Sequence, residues 1–271
     1  MQRRLINRRP ARPAGILLAA LPFVLLVAAY LLASNARLAE NPNDKLLPAP
    51  ASFASAMREM AFEPDRRSGD LLFWQDTAAS LGRLGLGVAI AAALGLAFGL
   101  TIGLIPYVTA ALSTFLAVIS MIPPLALLPI LFITLGLGEV AKVALIVIGI
   151  APFLIRDLSF RVAEIPEELM LKAQTLGAST LNILTRVALP LLLPRLIASV
   201  RLALGPAWLF LIAAEAIAST EGLGYRVFLV RRFLAMDIIL PYVAWITLLA
   251  FALDWLLARL SRQLFPWAER V

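Results

Sequence analysis

The chain has 271 residues, of which 61% are hydrophobic and only 15% charged, with a mean hydropathy of +0.90; soluble domains are about half apolar and a quarter charged, so the composition points to one lipid-embedded domain. The net charge of +7 suits the Lys- and Arg-rich cytoplasmic loops of membrane proteins, which makes lipid an expected partner and nucleic acid not one. There is no cysteine and no histidine, which excludes a disulfide framework, a Cys/His metal site and histidine acid–base chemistry; no catalytic residue and no metal site is expected.

Residues 1–13 hold Arg3, Arg4, Arg8, Arg9 and Arg12 with no acid and read as a cytoplasmic tail. The apolar run 14–34 is about 20 residues, long enough to cross the hydrocarbon core, and no small-residue cleavage site follows it, so it reads as an uncleaved first helix. Residues 35–77 are polar, rich in Pro and balanced in charge, which suits a periplasmic loop, with a short amphipathic helix expected over 51–60. The core membrane domain covers 78–260. Its second span, 78–104, carries Gly95, Gly99 and Gly103 at four-residue spacing, a stripe that lets another helix approach closely. The third span, 107–135, contains Pro123, Pro124 and Pro129. Proline removes a backbone donor and clashes with the preceding turn, so a broken helix is expected there. Broken helices at membrane depth occur where they are buried in protein or line a watery path.

The fourth span is 138–155, and the less apolar stretch 156–190 reads as a cytoplasmic loop. The fifth span is 191–218, residues 219–237 form a second external loop, the sixth span is 238–260, and 261–271 is a cytoplasmic tail. Six spans place both termini in the cytoplasm. Arg226, Arg231 and Arg232 disagree with that orientation, because they add positive charge to an external loop.

Arg83, Glu139, Lys142, Glu215 and Asp254 lie within or at the ends of the spans, where ionisable side chains are costly and face a cavity or a partner. Glu139 and Lys142 are three apart and share a helix face. Arg83 suits either a buried acid or an anion. Glu215, deep in the fifth span, suits a pairing with Arg83 that braces the helices, or contact with a polar solute. Trp208 suits the wall of a path or a lipid contact. Arg83, Trp208 and Glu215, with Pro123 and Pro124, are the candidates for a translocation path.

The loop 156–190 holds the most informative spacing. Pro166 followed by Glu167 and Glu168 suits a helix N-terminus, where proline loses no hydrogen bond and the dipole favours acids. Gly177 ends or bends that helix. A second short helix over 179–188 is expected to stop before Pro190. Ala173, Gly177, Val187, Leu189 and Pro190 stand at the spacing of the cytoplasmic signature of ABC importer permeases: Glu-Ala-Ala, three residues, Gly, nine residues, an aliphatic residue, any residue, Leu-Pro. Leu171 and Lys172 depart from its first two positions. Blocks around Ser80–Arg83, Ile122–Pro129, Gly136–Lys142, Ala207–Trp208, Ala214–Glu215 and Gly222–Gly224 extend the likeness. The chain resembles the nitrate/sulfonate/taurine branch of that family.

The resemblance implies an all-α membrane protein with the type I ABC importer (MetI-like) fold, six transmembrane helices and cytoplasmic coupling helices, in the bacterial inner membrane. It implies a path for a small solute such as a sulfonate, taurine or nitrate. It implies two ABC ATPase subunits, a second permease copy forming a homodimer, and a periplasmic substrate-binding protein. Glu167, Glu168, Ala173, Gly177, Ala178 and Pro190 are then the residues at the ATPase. The chain has no Gly-x-x-x-x-Gly-Lys-Ser/Thr loop, so it is expected to bind no cofactor and to be no enzyme, with ATP and Mg²⁺ on the separate ATPase. The rival readings are a secondary transporter with its own ion coupling and a membrane assembly subunit that transports nothing.

Overall fold

The computed structural model describes residues 10–42, 44–65 and 69–268, and the described residues are helical without a strand. The expected tail residues 1–9 and 269–271 lie outside the described part. Among the described residues five helices are long and apolar enough to cross a membrane, and a bent pair, taken as one span, brings the number to six. The first is α1 (Arg12–Glu40), which starts with a proline in its first turn. Most of its apolar side chains are exposed. It is tied to the chain at its far end, where Tyr30 Oη donates to Pro48 O at 2.8 Å and Ser34 Oγ donates to Leu47 O at 2.9 Å. The short helix α2 (Pro50–Phe62) follows and lies against the last span.

α3 (Leu72–Leu104) and α6 (Glu139–Ala163) form the main packed pair. The glycine stripe is what brings them together. A Cβ on Gly95 would lie 2.9 Å from Leu154 Cβ, one on Gly99 2.7 Å from Leu158 Cβ, and one on Gly103 2.5 Å from Val162 Cβ. Without lipid-driven attraction between apolar faces, close backbone approach supplies the packing energy. Between these helices the third span breaks as its prolines predict. α4 (Pro106–Ile119) ends at Ser120, Pro123 precedes a 3₁₀ turn at Pro124–Leu127, and α5 (Leu128–Leu135) leaves at 80° to α4.

Two differences from the sequence reading concern 156–190. α6 does not stop at 155 but runs to Ala163, because Leu158 and Val162 are buried against α3 and carry the helical pattern past the first charges. After α7 (Glu167–Thr175), the second short helix does not stop before Pro190. A single turn, α8 (Thr180–Asn182), passes through a π-helical segment, Ile183–Ala188, into α9 (Leu189–Ala218). Together they make one helix of 39 residues. In the widened turn Leu189 N–H bonds Leu184 O. A π-turn re-registers the backbone bonds so that a proline, which cannot donate, rides within a continuous helix.

The second external loop contains α10 (Leu223–Val230) and a 3₁₀ turn at Arg231–Phe233, and α11 (Met236–Leu264) closes the bundle. The main core joins α3, α6, α9, α10 and α11 around residues such as Leu84, Ile146, Ala207, Leu211 and Tyr242. A second cluster, Leu100, Leu158, Val162, Ala188 and Leu192, anchors the start of α9 at the opposite end from α10.

Candidate functional site

The α7 turn stands at that second cluster. α7 begins after Pro166 with Glu167 and Glu168 in its first turn, both exposed, where they complement the helix dipole. It ends in a reversal: Gly177 N–H bonds Gln174 O at 2.9 Å and Ala178 N–H bonds Ala173 O at 3.0 Å. Gly177 has φ +80°, a conformation that costs an L-residue strain and glycine none. Nothing in this chain crowds the position of its missing Cβ. Ser179 then caps the next turn by accepting from Asn182 N–H. Pro190 is exposed and Ala173 half-buried. Leu171, Leu176 and Leu181 turn outward, Leu176 at 87% exposure.

The α10 end is built in the opposite way. On α3, Asp76, Ser80 and Arg83 share one face and are all buried. Arg83 Nη1 donates to Glu215 Oε1 at 2.8 Å and to Glu221 O at 2.9 Å. Its Nε and Nη2 grip Glu139 at 2.5 and 2.8 Å. Lys142 Nζ donates to the same Glu139 at 2.7 Å. Glu215, 0% exposed, also accepts from Ser80 Oγ at 2.8 Å and from Gly224 N–H at 2.9 Å. Gly222, at φ +122°, has no room for a Cβ, which would lie 2.5 Å from the Glu215 carboxylate. Its N–H donates to Asp76 Oδ1 at 2.8 Å. Arg226 Nε donates to Asp76 Oδ2 at 2.7 Å. Burial opposes the Arg226 charge, but the Asp76 carboxylate more than offsets it and its pKa lies above the usual guanidinium value. Buried charges persist only when paired and hydrogen-bonded in this manner. The network latches α3, α6, α9 and α10 together.

A third feature is a cleft of about 390 Å³ between the break in the third span and α6, lined among others by Ser120, Ile122, Pro124, Gly149, Pro152 and Arg156.

Residues 91–266 match the family described as binding-protein-dependent transport system inner membrane component. The chain belongs to that family. It is 39% identical over 203 residues, 74% of each chain, to the taurine transport system permease protein TauC of Escherichia coli (strain K12). It is 35% identical over 186 residues, 66% of each chain, to the bicarbonate transport system permease protein CmpB of Synechococcus elongatus. A solved structure of the methionine ABC transporter MetNI in an inward-facing conformation has a TM-score of 0.63 over 71% of this chain and 95% of that chain, at 19% identity. The fold is thus that of type I ABC importer permeases, and the chain is a multi-pass inner-membrane permease subunit of an ABC importer.

Within the permease, the five path candidates fall in different places. Arg83 and Glu215 meet each other in the latch. Trp208 is buried in the core at 5% exposure, two turns before Glu215, and its Nε1 is a buried side-chain donor without a partner among the described residues. Pro123 sits at the break, and Pro124 lines the cleft. Sequence reasoning missed Asp76 and Arg226 as a pair, since both were placed in loops 150 residues apart. It also missed the pairing of Arg201 with Asp254, in which Arg201 Nε donates to Asp254 Oδ1 at 2.8 Å. The rule that membrane charges seek partners pointed to Asp254 but not to its mate.

Proposed function

We propose that this permease conducts a small anion of the sulfonate, nitrate or bicarbonate class and is driven through the α7 turn by a separate ATPase. The observation that carries the coupling half is the exposed turn itself. Leu171, Leu176 and Leu181 face outward around a glycine reversal. Apolar side chains on a short amphipathic helix suit a groove in a partner, and Glu167 and Glu168 suit cations beside it. Ala173, Ala178 and Pro190 hold the shape of the turn and its junction with α9. The solute class is supported by the likeness to the taurine and bicarbonate permeases.

In this reading the α7 end and both termini face the cytoplasm, and the α10 end faces a periplasmic binding protein. Two permease copies form a homodimer with two ATPase subunits. ATP and Mg²⁺ sit on the ATPase, and this chain binds no cofactor and catalyses nothing itself. Family membership disfavours a secondary transporter or an assembly subunit.

Co-purification in detergent with the ATPase encoded beside the gene tests it, comparing wild type with Gly177→Arg and monitoring the melting temperature of each. A complex lost in a variant that melts as wild type supports the coupling turn. A complex retained in full overturns it.

A further inference from the structure

Resting on the proposed conduction of a small anion, we infer that the cleft at the broken span is part of the solute path and that Arg156 is the residue there which takes the anionic group of the solute. The continuation of α6 to Ala163 moves Arg156 out of the expected loop and into the wall of the cleft. It lies 17 residues past Glu139 at the start of α6, about 25 Å along the helix. It therefore stands at the far side of the membrane from the latch. Opposite it are Ser120 and Pro124 of the break, and the walls between are apolar, with Ile119, Ile122 and Phe153 among them.

Among the described residues, each ionisable group of the latch, and Arg201 of α9, has its counter-charge in the chain. Arg83 and Lys142 hold Glu139, Arg226 holds Asp76, and Arg201 holds Asp254. Arg156 makes no ion pair among the described residues. Its neighbour Asp157 also lines the cleft but is engaged elsewhere: it accepts from Ser199 Oγ of α9 and lies 3.7 Å from Arg161. A guanidinium without a counter-ion, in a concave and largely apolar wall, is a site that an oxyanion completes, because its planar fork matches two oxygens of a sulfonate, nitrate or carboxylate. The low local dielectric strengthens that attraction over the same contact in water. The position favours anions over cations by charge, and over neutral solutes by the ion pair it offers them.

The chain has no cysteine, so Ser120→Cys places a single permease thiol in the wall of the cleft. The assembled transporter carrying it is reconstituted in liposomes. Its permease is labelled with anionic sulfonatoethyl methanethiosulfonate and with cationic trimethylammonioethyl methanethiosulfonate. The ratio of the two rates is normalised to that for a free thiol. The expected result is a preference for the sulfonate reagent that falls about tenfold in Arg156→Gln and is retained in Arg156→Lys. A ratio unchanged by Arg156→Gln overturns the inference while leaving the path intact. A thiol that neither reagent reaches overturns the cleft as a path, and the inference with it. The ATPase co-purification is independent of both outcomes, so failure of the coupling reading is seen separately.

Discussion

At the α10 end of the bundle, each buried charge among the described residues meets its counter-charge within the chain, and Gly222 and Gly224 lie hard against the Glu215 side chain. At the α7 end the pattern is reversed: acids and leucines face outward, and nothing crowds the missing Cβ of Gly177. Both regions read alike in sequence, as glycines and acids between apolar runs. The difference lies in where the partners are. One region is complete within the chain and holds four helices in register. The other leaves its acids and leucines uncovered by the rest of the chain.

The contrast is broken most severely at Glu215. Glu215→Ala leaves Arg83 Nη1 with only the Glu221 carbonyl and removes the carboxylate that accepts from Ser80 Oγ and Gly224 N–H inside the bundle. Removing one member of such a buried pair costs about 3–5 kcal/mol. The expected outcome is a sharp fall in folded yield and melting temperature, read by size-exclusion chromatography of heated detergent extracts. A variant that keeps its melting temperature and alters solute preference would move Glu215 from brace to path.

Gly99→Ala is expected to cost about 1–3 kcal/mol, since the added Cβ would sit 2.7 Å from Leu158 Cβ. The same melting assay checks it, and an unchanged midpoint would mean that α3 and α6 can separate freely.

Gly177→Ala forces an alanine to φ +80° at a cost of about 1 kcal/mol and adds little bulk. Its melting midpoint is expected to fall slightly while ATPase co-purification persists. Loss of the complex in this small variant would show that the glycine serves the partner's close approach and not only the reversal.

Leu176→Asp sharpens the comparison from the other side. An exposed position away from any buried contact changes stability by no more than about 0.5 kcal/mol, so its melting midpoint is expected to match wild type. Recovery of the ATPase with it is expected to drop at least about tenfold. A full complex with Leu176→Asp would remove the apolar face from the interface.

Much of this was legible because local rules sufficed. The Pro123–Pro124 break, the Glu139–Lys142 pair at three-residue spacing, the glycine stripe and the Gly177 reversal each follow from one stretch of chain. The pairing of Arg83 with Glu215 was legible for another reason: few charges were deep in the spans, so few matches existed. Asp76 and Arg226 were hidden because each stood in a polar stretch where a solvated charge needs no partner. Arg226 had looked like an exception to the distribution of positive loops, and its bond to Asp76 gives it a structural reason to be there. The stop expected before Pro190 failed because a proline's effect depends on the turn ahead of it. A π-turn at Ile183–Ala188 has no composition of its own to announce it, and the identity of Arg156 as a cleft residue depended on the unannounced extra turns of α6.

The continuous run from Thr180 to Ala218 has a mechanical consequence. At 1.5 Å per residue its 39 residues make a rod of about 58 Å, with the glycine reversal just before one end and Glu215 near the other. No loop decouples the two. A push on the reversal therefore travels as tilt of a lever to the clasp around Arg83, unless it is spent in flexing at Pro194 or Pro206, where the rod lacks a backbone bond and is softest.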